Sequence, residues 1–273
     1  MKNVIEQGEI AKLRSDSGVG GITGEMHLVK HDGKKYALRI CLDEKRAEDY
    51  SAIYSNIEQH GFFPKLLYRE GRHFLFEYLE GRDCTLKDGP EIAYEVGKIF
   101  GLINSAPLNF SKNFNADKKF FSDLDFLLKN GLIDSERLEK IKKMHTELRG
   151  KVDLKMVAEI SDCIPSNFRI SNGKVFLVDI EAVKYRFRGR GIAKAFLRWF
   201  KKEEERKKFI EGYSSVAPVD FLTKEYLQFS YLYYLVINTR FKLENKKAYD
   251  NNLKQLDLLL KGELDSVSPH RDN

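Results

Sequence analysis

Asp162, Asn167 and Asp179 have the residue types and spacing that phosphate and metal chemistry requires. Asp162 and Asn167 stand five residues apart in Ser161-Asp162-Cys163-Ile164-Pro165-Ser166-Asn167, a loop that Pro165 stiffens. Two short apolar runs follow, Phe168-Arg169-Ile170 and Val175-Phe176-Leu177-Val178, joined by Asn172-Gly173. Asp179-Ile180-Glu181 ends the second run. Phosphoryl transfer needs one carboxylate to orient the attacking hydroxyl and take its proton, and hard oxygen ligands to hold Mg²⁺ on nucleotide phosphates. A loop Asp and Asn, a strand–turn–strand and a further Asp supply these parts in order. The plain alternative is a loop whose Asp and Asn cap turns, with Asp179 capping a helix.

Two features near the start of the chain fit the same chemistry. Ser17-Gly18-Val19-Gly20-Gly21-Ile22-Thr23-Gly24 is a glycine-rich turn leading into a strand, and glycines let backbone N–H groups approach phosphates. A flexible surface turn has the same composition. Tyr36-Ala37-Leu38-Arg39 is a strand ending in a cation, and Arg binds phosphate in two-pronged fashion. Arg39 could equally be a solvated strand residue.

The segments Ile160-Ser161-Asp162-Cys163-Ile164-Pro165-Ser166-Asn167 and Val178-Asp179-Ile180-Glu181 resemble the catalytic and metal loops of the aminoglycoside phosphotransferase and choline kinase family, within the protein-kinase-like superfamily. That family has His-Gly-Asp-x4-Asn followed by Ile-Asp-Trp/Phe-Glu. This chain departs from it with Ile160 in place of His and Ser161 in place of Gly. The resemblance implies Asp162 as catalytic base, with Asn167 and Asp179 as Mg²⁺ ligands. Further segments are similar to the family in order and spacing. Tyr36-Ala37-Leu38-Arg39 resembles the Val-Ala-Ile-Lys strand, with Arg39 as the phosphate-contacting cation. Glu48 matches the helix glutamate that holds this cation. Phe74-Leu75-Phe76-Glu77-Tyr78-Leu79-Glu80-Gly81 resembles the hinge whose backbone binds adenine, so Glu77 and Tyr78 join Gly18, Gly20 and Gly21 as expected nucleotide contacts. Asn104 stands where the family's helix ends in His, and Gly212-Tyr213 matches a late helix. The resemblance spans about residues 10 to 260. It implies an ATP- and Mg²⁺-dependent phosphotransferase acting on a hydroxyl of a small molecule: a sugar, amino sugar or amino alcohol. The rival readings are a kinase of an anionic glycan or lipopolysaccharide core, and a pseudokinase or nucleotide-binding module. Protein kinases are set aside because no Asp-Phe-Gly or Ala-Pro-Glu segment is present.

Periodicity shows which elements would position these residues. Residues 26–30 and 35–40 read as strands around an Asp32-Gly33 hairpin turn, and 65–68 and 74–78 as a second pair. Residues 43–60 read as a helix with apolar positions at Ala47, Tyr50, Ile53, Tyr54 and Ile57, stopped by Gly61. The remainder is mainly helical, with helices expected over 91–105, 121–130, 135–148, 193–213 and 224–260. The strands 156–160, 168–170 and 175–178 interrupt it. The expected fold is α+β and bilobal, protein-kinase-like, with a small β-rich N-lobe over 1–80, a larger helical C-lobe over 81–262 and a polar tail over 263–273.

Composition sets bounds on partners. The 273 residues are 42% hydrophobic and 32% charged, with a formal net charge of +6. That mild excess suits an anionic ligand without requiring one. Part of it lies in Lys184-Tyr185-Arg186-Phe187-Arg188-Gly189-Arg190, which suits an anionic acceptor or phosphates. Arg alternating with aromatics also fits nucleic acid or glycolipid headgroups, and a solvated basic loop is the remaining option. Nucleic acid is not the expected partner. Cys41, Cys84 and Cys163 show no metal or disulfide spacing, which suggests a reducing compartment. No run approaches the roughly 20 apolar residues of a membrane helix, and a cytoplasmic protein is expected.

Overall fold

Leu38, Arg39 and Ile40 lie in the middle of a five-stranded antiparallel sheet, and strand alternation decides what each of them faces. The computed structural model describes residues 2–12, 24–107 and 114–264. The glycine-rich expectation at Gly18, Gly20 and Gly21 lies outside the described residues, as does most of the polar tail.

The chain begins with α1 (Lys2–Gln7) and β1 (Glu9–Lys12), then β2 (Gly24–His31), β3 (Lys34–Cys41), α2 (Glu44–Ile57), β4 (Leu66–Glu70), β5 (His73–Glu77) and β6 (Arg82–Asp83). The sheet order is β1-β2-β3-β5-β4. Asp32 and Gly33 have φ of 50° and 71°, the paired positive φ of a tight hairpin turn. One sheet face carries Val29, Leu38 and Leu75, which pack on Val4 of α1. The opposite face carries Phe74 and Phe76, which meet Tyr50 and Tyr54 of α2 at ring-centroid distances of 4.8 and 5.7 Å. Asp43 caps α2 by accepting from Arg46 N at 2.8 Å, and Gly61 at φ 66° closes the turn after it. Strands β8 (Phe168–Ser171) and β9 (Lys174–Leu177) form a three-stranded sheet with β6, turning through Asn172 and Gly173 at φ 48° and 74°.

The chain divides into two compact units. The first holds residues 1–85, 106–108 and 165–183, and the second holds 86–105, 109–164 and 184–273. Residues 165–183, which the sequence assigns to the larger C-terminal lobe, therefore group with the N-terminal sheet.

The second unit contains α3 (Gly89–Ser105), α4 (Ala116–Lys129), α5 (Ser135–Arg149), β7 (Met156–Ile160), α6 (Arg190–Arg198), α7 (Glu203–Ser214), α8 (Lys224–Glu244) and α9 (Asp250–Leu260). Strand β7 pairs with β10 (Val183–Phe187), not with β8 or β9. Helix α8 is buried on almost every side from Tyr226 to Ile237, which makes it the central helix of this unit. Helices α3 and α7 lie close at two glycines. A Cβ on Gly97 would stand 1.9 Å from Phe209 O, and one on Gly212 would stand 1.8 Å from Tyr94 O.

Two long helices expected from periodicity are each broken. The run 193–213 becomes α6 and α7. The Glu205 side chain turns back to accept from Lys202 N at 3.1 Å, and Glu203, Glu204 and Glu205 place negative charge in the first turn of α7. The run 224–260 breaks at Lys246, whose φ is 53°. There Lys247 N donates to Lys242 O at 2.8 Å and Lys246 N to Leu243 O at 3.0 Å, a helix-ending pattern usually built on Gly.

Candidate active site

Arg39 carries its charge into a nearly closed environment. Its strand partner is Phe74, so it lies on the sheet face that α2 covers, and it is 9% exposed. A buried cation needs a carboxylate. Glu181 supplies it: Arg39 Nη2 lies 2.6 Å from Glu181 Oε1, and both side chains are largely withdrawn from solvent. Burial works against the Arg39 charge, but Glu181, Tyr50 and Asp179 outweigh it, and the guanidinium is held above its ordinary value. The Tyr50 hydroxyl beside it is pushed well up by burial.

The expectation that Glu48 holds Arg39 is corrected here. The face of α2 that meets the sheet is set by Ala47, Tyr50, Tyr54 and Ile57. Glu48 follows Ala47 by one residue, about 100° around the helix, and is exposed.

Asn167 and Asp179 lie in the same unit as Arg39 and are tied together through the backbone. Asn167 ends the short turn Pro165–Asn167, is 3% exposed, and accepts from Val178 N at 2.9 Å. Asp179 is the next residue. Its Oδ1 accepts from Glu181 N at 3.1 Å and caps the turn Ile180–Ala182, which presents Glu181 to Arg39. Leu177 N donates to Phe62 O at 2.9 Å and anchors the end of β9 to the segment after α2. The sequence motif thus forms one local assembly of Asn167, Asp179, Glu181 and Arg39. An amide oxygen and a carboxylate are hard ligands that suit Mg²⁺, an ion usually held by one or two carboxylates together with phosphate oxygens. Among the described residues, no group of three or more His, Cys, Asp and Glu side chains could hold a metal.

Glu77 and Tyr78 fall at the end of β5. Glu77 N donates to Lys65 O and Glu77 Oε1 accepts from Lys65 N, each at 2.9 Å, so this side chain braces β5 against the start of β4. Tyr78 has Lys35 and Arg169 over its ring at 5.5 and 5.6 Å. Arg169, which the sequence reading passed over, organises the segment that follows. It donates to Leu79 O and Gly81 O, each at 2.8 Å, and pairs with Asp83 at 2.6 Å. Gly81 is needed for that approach, because a Cβ there would lie 2.1 Å from Ile170 O.

Asp162 belongs to the second unit, in the loop leaving β7, and the chain enters the first unit at Pro165. It forms an ion pair with Lys194 of α6. Burial, then Arg198, Lys242 and Lys247, push the Lys194 ammonium down to about 8. Asp162 favours the charge, but its side chain is 50% exposed, so solvent screens the pair. Ile160, at the family's His position, is fully buried.

The support for this loop comes from Glu159, a residue that sequence reasoning did not single out. Its Oε2 accepts from Asn104 Nδ2 at 2.6 Å, its Oε1 accepts from Gly191 N at 2.8 Å, and Tyr213 OH donates to Asn104 Oδ1 at 2.9 Å. Burial pushes the Glu159 carboxyl up to about 7 against these hydrogen bonds. Asn104 and Tyr213, noted in the sequence as separate resemblances, meet in this network. Gly191 lets α6 approach, since a Cβ there would stand 1.9 Å from Ile160 O.

The basic segment is not a solvated loop. Residues 183–187 are strand β10, Arg186 lies 4.5 Å over Phe114, and Arg188 lies 3.7 Å over Phe221. Burial, then Arg190, push Arg186 down to about 10, and burial lowers Arg190. Arg186 and Arg188 pack against aromatic rings inside their own unit.

A small sheet with one helix on the cation-bearing face, a helical second unit and an Asp-x4-Asn…Asp motif define a protein-kinase-like fold of the kind seen in small-molecule kinases. The structural comparisons agree. Choline kinase LicA from Streptococcus pneumoniae superimposes with a TM-score of 0.70 at 15% identity, covering 95% of this chain and 96% of that chain. A choline/ethanolamine kinase family protein from Mesorhizobium loti gives 0.67 at 13% identity, covering 96% and 90%. A spectinomycin phosphotransferase in complex with ADP and spectinomycin gives 0.63 at 14% identity, covering 95% and 89%. No family model matches the sequence, and no curated protein matches it significantly.

Proposed function

We propose that this protein is an ATP- and Mg²⁺-dependent phosphotransferase acting on a hydroxyl group of a small molecule. The observation that carries the reading is the assembly of Arg39, Glu181, Asp179 and Asn167 in one unit, with the Asp162 loop leading directly into it. The fold it shares with choline kinase and spectinomycin phosphotransferase supports the same reading. Asn167 and Asp179 are the residues that would hold Mg²⁺, which supplies neutralisation of phosphate charge when bound with the nucleotide. Arg39, fixed by Glu181, contributes a further positive charge to the phosphates, and the Glu77–Tyr78 segment, braced by Lys65 and Arg169, takes the base. Asp162 orients the acceptor hydroxyl and accepts its proton. The acceptor oxygen bonds to the γ-phosphorus, the bond from that phosphorus to the β–γ bridging oxygen breaks, and ADP leaves. Lys194 is a positioning residue that holds the Asp162 carboxylate.

Asp162→Asn keeps the size of the side chain and removes its charge. It is expected to lower kcat by roughly 10²–10⁴ while leaving ATP affinity within about twofold. Single-turnover transfer at saturating ATP, paired with a nucleotide titration, reads both effects. Wild-type turnover by the variant would overturn the role of Asp162 and favour a nucleotide-binding module without catalysis.

A further inference from the structure

Lys194 is one of four cations gathered on α6, α8 and the turn after α8. Arg198 stands one helical turn beyond it, and Lys242 and Lys247 are close enough for their charges to act on Lys194. The guanidinium of Arg198 donates to Tyr234 OH at 3.1 Å and to Asn252 Oδ1. Lys242 Nζ reaches the same Asn252 oxygen at 3.4 Å. Asn252 is fully buried and is itself held by donating to Asn238 Oδ1 at 3.0 Å. One neutral oxygen therefore draws two positive heads together, an arrangement that costs free energy without an opposing charge.

The acids nearby do not supply that charge. Glu244 pairs with Arg240 at 2.9 Å and Asp257 with Arg137 at 2.8 Å. Among the described residues, Asp162 on Lys194 is the carboxylate paired within the cluster, and no ion pair joins Arg198, Lys242 or Lys247 to an acid. The Lys242 ammonium is lowered by burial and then by Arg198 and Lys247, as expected for like charges held close.

We infer that the acceptor in the proposed phosphotransfer is a hydroxylated oxyanion, a small molecule carrying a phosphate or carboxylate that Arg198, Lys242 and Lys247 bind while its hydroxyl faces Asp162. The inference rests on the phosphotransfer reading, because that reading places the hydroxyl at Asp162. It moves the anion-binding role away from Arg186 and Arg188, which lie over Phe114 and Phe221 at 4.5 and 3.7 Å, to a cluster in which Arg198 and Lys247 stand further from their rings, over Tyr234 and Phe241 at 5.6 and 5.7 Å. A positively charged amino alcohol or amino sugar would meet three like charges here, those of Arg198, Lys242 and Lys247.

The test is titration calorimetry on the full chain, saturated with Mg²⁺ and a non-hydrolysable ATP analogue. The probes are glycerol 3-phosphate, glucose 6-phosphate and gluconate, set against glycerol, glucose and choline. An oxyanion is expected to bind at least about tenfold more tightly than its uncharged counterpart, as one charge-assisted contact implies. Arg198→Gln and Lys242→Gln should each weaken it on the order of tenfold and leave the nucleotide affinity unchanged. Preference for phosphate esters or for gluconate identifies the anionic group. Lys247 is exposed, so Lys247→Gln gives the same reading, at several-fold, if a variant of the half-buried Arg198 or Lys242 fails to fold. Binding of glycerol, glucose or choline as tight as that of the oxyanions overturns the inference. So do the absence of oxyanion binding and an equal loss of nucleotide affinity in the variants. A separate titration with Mg²⁺-ATP alone distinguishes the two levels: if nucleotide binds and the oxyanions do not, this inference fails alone, and if nucleotide does not bind, the phosphotransfer reading fails first.

Discussion

At the residue scale, Arg39 shows what a one-dimensional pattern records and what it leaves out. The strand alternation that buries Leu38 on one face carries Arg39 onto the other, against α2, and the charge has to be answered there. Glu181 answers it from 142 residues further along the chain, at 2.6 Å. Removing a partner from a buried pair leaves an uncompensated charge, so Glu181→Ala is expected to cost on the order of 3 kcal/mol of stability. Glu48→Ala, on the exposed face of α2, should change stability by less than about 0.5 kcal/mol. Urea unfolding of the two variants decides between the partners, and a larger loss for Glu48→Ala would return Arg39 to the helix glutamate. The local grouping of Asn167 and Asp179 was legible because a strand–turn–strand between them returns the chain to its start. The partner of Arg39 was not, because a family pattern places a glutamate on the helix without stating which way that helix faces. Glu159 was hidden for a related reason: a lone acid in an apolar strand gives no sign of the Asn104 and Gly191 groups that satisfy it.

At the scale of elements, the strands and helices that hold the site followed from hydrophobic period and turn chemistry, as at Asp32-Gly33 and on the apolar face of α2. Breaks were read less well. Lys246 takes a positive φ where Gly would have announced a stop, and apolar periodicity runs through Trp199 and Phe200 although the helix does not. The most consequential element is α6, because it carries Lys194 to Asp162 and sets its N-terminus against Glu159. Its approach depends on Gly191. Gly191→Ala puts a methyl group 1.9 Å from Ile160 O and 2.9 Å from Glu159 Oε1, and a backbone carbonyl cannot yield as a flexible side chain does. A loss of about 1–3 kcal/mol is expected from overpacking, with a fall in kcat as Lys194 shifts from the Asp162 carboxylate. Gly150→Ala is the control: Gly150 has φ −69° and a Cβ there meets nothing closer than 3.7 Å. Thermal unfolding and transfer rates of both variants test the argument. Wild-type behaviour of Gly191→Ala would show that α6 yields freely and that its position is not fixed by this contact.

At the scale of the whole molecule, two buried groups of opposite charge tilt the stability curve in opposite directions. The Glu159 carboxyl is pushed up from 4.5 to about 7 by burial. Between those values the folded chain keeps a proton that the unfolded chain has released, so its contribution is fully present below 4.5 and is lost as pH rises through about 7. Lys194 is pushed down from 10.5 to about 8 by burial and by Arg198, Lys242 and Lys247. Between 8 and 10.5 the unfolded chain holds the extra proton, so stability rises with pH across that window. Each shift corresponds to roughly 3 kcal/mol at most. His145, lowered by burial, adds a rise with pH around its own titration and partly offsets the Glu159 slope, so differences against wild type are the quantities to read. Glu159→Gln should remove the decline between pH 4.5 and 7 and leave the rise above pH 8 in place. Lys194→Met should do the reverse. Urea midpoints measured from pH 4.5 to 10.5 for the three proteins resolve the two slopes. If Glu159→Gln runs parallel to wild type through the acid limb, Glu159 is ionised in the fold, and the network joining Tyr213, Asn104 and Gly191 holds a carboxylate rather than a neutral acid.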